Sequence, residues 1–311
     1  MTVAPTGMEL CYETFGSPEG PPVVLVMGLG TQLIAWPDEL CSELARRGYF
    51  VVRFDNRDTG RSTHLVAAGV PNPARVLFRR EPPPYRIEDM ALDTIGLLDA
   101  LGLESAHLVG ASMGGFIVQE TALARPERVR SLVLIMTSTG SPRVGMPNLR
   151  IMVGLGHPRH PDATKQASVE LVLEVFSKIG SPGYPRDEAY LADLAGRSFD
   201  RAYDPAGYAR QVAAILAQRD RSPRLRNLEL PTTVLHGLSD PLVNVSGGRA
   251  LARAIPGARF VGLPGMGHDL PRPLWGRFVD EIDRTASIGE RSRAGAPGPD
   301  REGTLAESLG D

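Results

Sequence analysis

The stretch Gly110-Ala111-Ser112-Met113-Gly114 lies between a short apolar run, His107-Leu108-Val109, and the helix-like Gly115-Phe116-Ile117-Val118-Gln119-Glu120. A serine on a sharp strand-to-helix turn is lifted clear of the sheet, and small residues on both sides let the backbone cross itself closely. The helix that follows points free N–H groups at any anion forming beside that serine. Five letters of this kind arise by chance in a chain rich in Gly, Ser and Ala. Their reading therefore depends on what the rest of the chain supplies.

Moving outward, the strand-like Thr232–His236 runs into Gly237-Leu238-Ser239-Asp240, which puts a carboxylate just past a strand end. Arg259–Leu263 leads into Pro264-Gly265-Met266-Gly267-His268, an imidazole on a glycine-rich loop. Ser112, Asp240 and His268 thus follow the order nucleophile, acid, base. Upstream, Val23–Met27 ends in Gly28-Leu29-Gly30, a loop able to offer a backbone N–H toward the serine. The chemistry explains the set. A serine hydroxyl needs a base as it attacks, histidine has the pKa to take that proton and return it, and a carboxylate fixes the imidazole tautomer. The N–H groups of Leu29 and Met113 are the candidate donors to the tetrahedral oxyanion.

With these residues in view, the chain resembles the α/β-hydrolase superfamily over about residues 8 to 285. The landmarks are Leu25-Val26-Met27-Gly28, Asp55-Asn56-Arg57-Asp58-Thr59-Gly60-Arg61-Ser62, the serine turn, His236-Gly237-Leu238-Ser239-Asp240-Pro241 and Gly265-Met266-Gly267-His268. The Asp55–Ser62 stretch and the Trp36-Pro37-Asp38-Glu39 turn look most like the bacterial carboxylesterase and methylesterase branch. Many members of the superfamily carry His-Gly where this chain has Met27-Gly28. That change touches oxyanion-loop packing and pocket polarity, because the replaced histidine is not a triad member. The resemblance implies a mostly parallel central sheet flanked by helices, with an inserted helical cap. It implies an ester hydrolase acting through an acyl-enzyme on a small-molecule ester, with no cofactor and no metal.

The patterning agrees. Met8–Phe15, Val23–Met27 and Val51–Phe54 read as strands, Val129–Thr137 as a strand buried on both faces, and Asp38–Arg47 and Ile87–Leu101 as helices. Strands alternating with helices imply parallel pairing and right-handed crossovers, with ligands bound beyond the strands' carboxyl ends. Residues 141–226 break that rhythm. A Gly-, Pro- and Met-rich start gives way to helical patterns at Ala167–Ile179, Asp187–Phe199 and Pro205–Arg219. The expected division is therefore a core of residues 1–140 and 227–284, a cap of residues 141–226, and a disordered tail of residues 285–311. Trp36, Met146, Met152, Leu155, Phe176 and Val243 are the pocket candidates, an apolar set suited to an uncharged ester. His64–Tyr85 reads as a long surface loop, and Arg219, Arg221, Arg224 and Arg226 as a solvated segment leaving the cap.

Composition excludes other classes. The chain has 311 residues, is 42% apolar and 23% charged, and carries a formal net charge of −2. That balance gives no general attraction to nucleic acid or anionic membrane. Lys165 and Lys178 are the only lysines, which reads as the base composition of a GC-rich bacterial genome. Cys11 and Cys41 form no disulfide framework. His157 and His160 have an H-x-x-H spacing without the accompanying ligands of a metal site. The N-terminus lacks signal-peptide character and no apolar run spans a bilayer, so a cytoplasmic protein is expected. Haloalkane dehalogenases and epoxide hydrolases need a carboxylate where Ser112 stands. A cofactor-free haloperoxidase or perhydrolase, an acyltransferase, and a non-enzymatic receptor on this scaffold share the triad and are the rival readings. Very slow turnover with tight binding would mark the receptor.

Overall fold

The computed structural model describes residues 1–3, 5–148, 151 and 163–295. Its centre is a seven-stranded sheet in the order β3-β5-β4-β6-β7-β8-β9. The strands are β3 (Tyr12–Phe15), β4 (Pro22–Val26), β5 (Phe50–Phe54), β6 (Ala106–Ala111), β7 (Val129–Ile135), β8 (Thr232–Gly237) and β9 (Arg259–Leu263). All neighbours pair in parallel except β3 with β5. A two-stranded antiparallel piece, β1 (Thr2–Val3) with β2 (Met8–Glu9), precedes it. The expected single strand Met8–Phe15 is thus two, broken at Leu10-Cys11.

Every residue of β4, β5 and β6 is buried, and successive side chains divide between two cores. Val24, Val26, Val52, Phe54, Leu108 and Leu132 face one side. There they pack on α3 (Ile87–Ala100), α4 (Met113–Ala124) and α9 (Ser246–Ala254). Val23, Leu25, Val51, Val109, Val133 and Leu235 face the other. These meet α1 (Asp38–Arg46) and α10 (Trp275–Arg293). Each such side chain contributes about 1.5–3 kcal/mol when removed from water. The continuous apolar runs follow from this double burial.

Helix α10 corrects the expectation of a disordered tail from residue 285. It continues to Arg293, with Thr285, Ala286 and Gly289 buried. A Cβ at Gly289 would lie 2.6 Å from the Arg130 carbonyl oxygen, so the absent side chain is what lets the helix seat. Residues 296–311 lie outside the described part. The stretch 64–85 is not a plain loop either. It holds a 3₁₀ turn at Val66–Ala68 and a short helix, α2 (Pro73–Leu77), started by Asn72, whose side chain accepts the Arg75 N–H at 3.2 Å.

Between β7 and β8 the chain leaves the sheet to form α5 (Lys165–Ile179), α6 (Glu188–Arg201), α7 (Pro205–Leu216) and α8 (Ser222–Leu225). The return carries a second correction. Arg221 is fully buried, not solvated, and its Nε donates to Glu120 of α4 at 2.7 Å. Arg224 donates to the same carboxylate at 2.9 Å. Two guanidiniums on one buried carboxylate pin the end of the helical segment to the core. Among the described residues, no helix is long and apolar enough to cross a membrane.

Candidate active site

Ser112 sits between β6 and α4 with φ 54° and ψ −118°, a conformation a serine adopts only under constraint. Its N–H donates to the Ile135 carbonyl at 3.0 Å. The glycines around it are needed for space. A Cβ at Gly110 would lie 2.4 Å from the Gly114 carbonyl oxygen, and one at Gly114 would lie 2.0 Å from that of Val26. The turn therefore closes only with glycine on both sides of the serine.

His268 follows β9 and reaches back across the sheet. Its Nε2 lies 3.0 Å from Ser112 Oγ, and its Nδ1 lies 2.8 Å from Asp240 Oδ2. Asp240 is buried, and its Oδ1 accepts the N–H groups of Leu242 at 2.9 Å and Val243 at 2.8 Å. One carboxylate oxygen is thus held by the backbone while the other faces the imidazole. His236, also buried, donates its Nε2–H to the Val243 carbonyl oxygen at 2.7 Å, and burial holds its pKa below the ordinary histidine value. A neutral ring there leaves the Asp240 charge to His268.

The His268 loop rests on the end of α5. The His268 N–H donates to Ile179 O at 2.7 Å, and the Gly267 N–H donates to Ser181 Oγ at 2.9 Å. Ser181 Oγ in turn donates to Asp269, whose carboxyl is raised above the usual range by burial. Asp269 carries no motif of its own, and only its position beside His268 could have drawn attention to it.

Beyond Ser112 opens a cavity of about 360 Å³ between the strand ends and helices α5 to α7. Leu29 lines it, and Gly28 lies so close that a Cβ there would be 3.1 Å from Ser112 Cβ. Met113 is the first residue of α4, where a helix has N–H groups without partners of its own, while its side chain is buried in the core. Phe176 lines the cavity, with Leu171, Val175, Leu191 and Leu194. The mouth carries exposed charges in pairs, Lys178 with Glu174 at 2.7 Å and Arg272 with Asp187 at 3.9 Å.

Three pocket candidates are corrected. Trp36 is completely buried against α1 and β4, because the residues on either side of it, Ala35 and Pro37, take the cavity wall instead. Met146 is 48% exposed on the surface and does not line the cavity. Val243 supplies its backbone to Asp240 and His236, and its neighbour Leu242 lines the cavity. Met152, Leu155, His157 and His160 lie outside the described residues. Asp58, His64 and Asp204 come within 4.8 Å of one another, but Arg210 bonds both carboxylates, to Asp58 at 2.8 Å and to Asp204 at 3.0 Å. Both carboxylates of that cluster are already engaged by a guanidinium.

The family model described as the alpha/beta hydrolase fold matches residues 21–271. The chain belongs to the alpha/beta hydrolase fold family. Within that family it is 29% identical over 283 residues to the rhodomycin D methylesterase DauP of Streptomyces sp. (strain C5), covering 85% of this chain and 90% of the relative. It is 28% identical to 3-oxoadipate enol-lactonase 2 of Acinetobacter baylyi, over 82% of this chain and 84% of that protein. The crystal structure of the enol-lactonase from Burkholderia xenovorans LB400 superposes with a TM-score of 0.71 at 26% identity, over 92% of this chain and 99% of its own. This alpha/beta hydrolase therefore matches between 84% and 99% of the length of these relatives.

Proposed function

We propose that the protein is a serine hydrolase that cleaves carboxylic esters through Ser112, His268 and Asp240. The observation that carries the reading is the continuous chain from Ser112 Oγ through the His268 ring to Asp240 Oδ2, at 3.0 and 2.8 Å. Relatives named methylesterase and enol-lactonase support it, since both names denote attack at an acyl carbon.

In this mechanism Ser112 Oγ attacks the ester carbonyl carbon as His268 Nε2 takes its proton. The carbonyl π pair moves onto oxygen, where the N–H groups of Leu29 and Met113 receive it. Collapse expels the alkoxide, which takes the proton from His268 and leaves as alcohol. Water then repeats the sequence on the acyl-enzyme, with His268 as base, and releases the acid. Asp240 stabilises the imidazolium in both halves without taking its proton.

Helices α5 to α7 serve as a cap over the cavity in this reading. Its inner face is apolar and its charges at the mouth are paired, which suits a small to medium uncharged ester. The deciding experiment is a series of p-nitrophenyl esters of graded acyl length, run beside methyl esters of bulky apolar acids. A single fluorophosphonate adduct on Ser112 and preference for an uncharged ester are expected. Labelling of another serine, or preference for a carboxylate-bearing ester, overturns the proposal.

A further inference from the structure

The oxyanion loop, Gly28 to Gln32, is held from the helical segment above it. Gln211 of α7 is fully buried, and its Oε1 accepts the Gly30 N–H at 2.7 Å. The Nε2 of the same side chain donates to Arg57 O at 2.8 Å and to Thr59 Oγ1 at 2.7 Å. One carboxamide therefore ties the loop after β4 to the loop after β5, with its oxygen and both N–H groups used. A buried amide is tolerated only when satisfied in this way.

A second tie lies two residues on. Gln32 Nε2 donates to Ser198 O at 2.7 Å and Ala202 O at 3.0 Å, at the end of α6. Arg201 Nε donates to Gln32 Oε1 at 2.8 Å, while its Nη2 donates to Asp55 Oδ2 at 2.6 Å. Asp55 Oδ1 receives the Leu33 N–H at 2.7 Å. The Gly30 N–H belongs to the peptide plane that follows Leu29. Fixing that plane limits rotation about Leu29, and with it the aim of the Leu29 N–H.

We propose that Gln211 is a positioning residue for the oxyanion hole, setting from the cap the direction of the Leu29 N–H; this rests on the ester-hydrolase reading above. The cap in this proposal is a brace for catalytic loops as well as a wall for substrate. Gln211 touches no reacting atom, so its replacement acts on the transition state and leaves ground-state binding nearly intact.

The test compares Gln211→Met, which keeps the shape without polar atoms, with Gln211→Glu, which keeps an oxygen facing Gly30. For a p-nitrophenyl ester, Gln211→Met is expected to lower kcat about ten- to a hundredfold, less than the 10²–10³ of losing a donor outright. KM and the affinity for the product acid stay within about threefold. Affinity for a trifluoromethyl ketone, whose hemiketal places an oxyanion in the hole, falls with kcat, and Gln211→Glu recovers part of both. Hydrogen exchange supplies a readout independent of activity. The Gly30 amide is slow in the unaltered protein and the peptide carrying residues 28–32 exchanges faster in Gln211→Met. Fast Gly30 exchange in the unaltered protein overturns the proposal, as does unchanged exchange in the variant. So does a loss of ketone and product-acid affinity by the same factor. Absence of ester turnover and of Ser112 labelling in the unaltered protein would instead sink the ester-hydrolase reading, while the exchange measurement still decides whether Gln211 holds the loop.

Discussion

Thr137 Oγ1 donates a hydrogen bond of 2.8 Å to the carbonyl oxygen of Ser112. The Gly115 N–H reaches the same oxygen at 3.0 Å. Two donors on one carbonyl lock the peptide after the serine, and so hold the residue at a positive φ that it would otherwise leave. Thr137 closes against Gly115 so tightly that a Cβ there would lie 2.4 Å from its Cγ2. The strain at Ser112 is stored between the end of β7 and the first turn of α4.

That strain gives a stability prediction alongside the kinetic one. Ser112→Ala and Ser112→Gly should both abolish ester turnover and fluorophosphonate labelling. Ser112→Gly should also be more stable than Ser112→Ala by about 1–3 kcal/mol, the usual cost of such a backbone conformation. Thermal melts of the two variants decide it, and equal melting temperatures would mean that the turn is not strained.

His268→Ala should reduce kcat almost as far as loss of the serine, because the two act as a unit. In Asp240→Asn the amide oxygen can keep the Leu242 and Val243 N–H groups, which turns an NH₂ toward His268 Nδ1. The ring is then forced into the wrong tautomer, and kcat should fall by about 10⁴. Near-normal turnover in Asp240→Asn would assign the acid elsewhere.

The cavity wall predicts which substitutions alter specificity. Phe176→Ala should move the acyl-length optimum toward longer chains while changing kcat on an acetyl ester by only about twofold to threefold. Met146→Ala should leave the profile unchanged, since Met146 lies on the surface. A chain-length profile for each variant checks both, and a shift caused by Met146→Ala would place that residue at the pocket.

A pH effect follows from His107. Burial pushes its pKa down to about 4, and a neutral ring suits its partners. Nε2–H donates to Glu290 at 3.0 Å, and Nδ1 accepts from Ser131 at 2.8 Å. Burial would raise Glu290, but its bonds to Arg130 and His107 outweigh that and hold it low. Between the unfolded histidine value of 6.5 and about 4, the unfolded chain takes up a proton that the fold refuses. Stability is therefore full above pH 6.5 and falls as pH drops through this window, at no more than about 1.4 kcal/mol per pH unit from this group. Urea unfolding across the window should show a shallower slope for His107→Gln than for the unaltered protein. Equal slopes would remove His107 as the source.

The sheet and the meeting of Ser112, Asp240 and His268 were legible because local signals coincided there. Ser112, Asp240 and His268 each follow a strand, next to glycines whose absent side chains the turns require. What sequence hid was of a different kind. Gln211 and Arg201 sit in helices as ordinary polar residues, and their partners, Gly30, Gln32 and Asp55, lie more than a hundred residues away. Arg221 looked solvated because its charge is matched only by Glu120, on a helix across the fold. The continuation of α10 was missed because Thr285, Ala286 and Gly289 are small and barely hydrophobic, although all three are buried. Their smallness is the packing signal, and hydrophobic periodicity does not register it.

The His268 loop rests on Ile179 and Ser181, at the end of α5, and the Gly28–Gln32 loop rests on Ala202 and Gln211, after α6 and within α7. A chimera that exchanged residues 141–226 for the corresponding segment of another family member would bring new substrate contacts. It would also remove the supports beneath both loops. Directed changes of selectivity in this protein should therefore start from single residues on the inner face of α5, such as Leu171 and Phe176, leaving the two anchoring sites as they are.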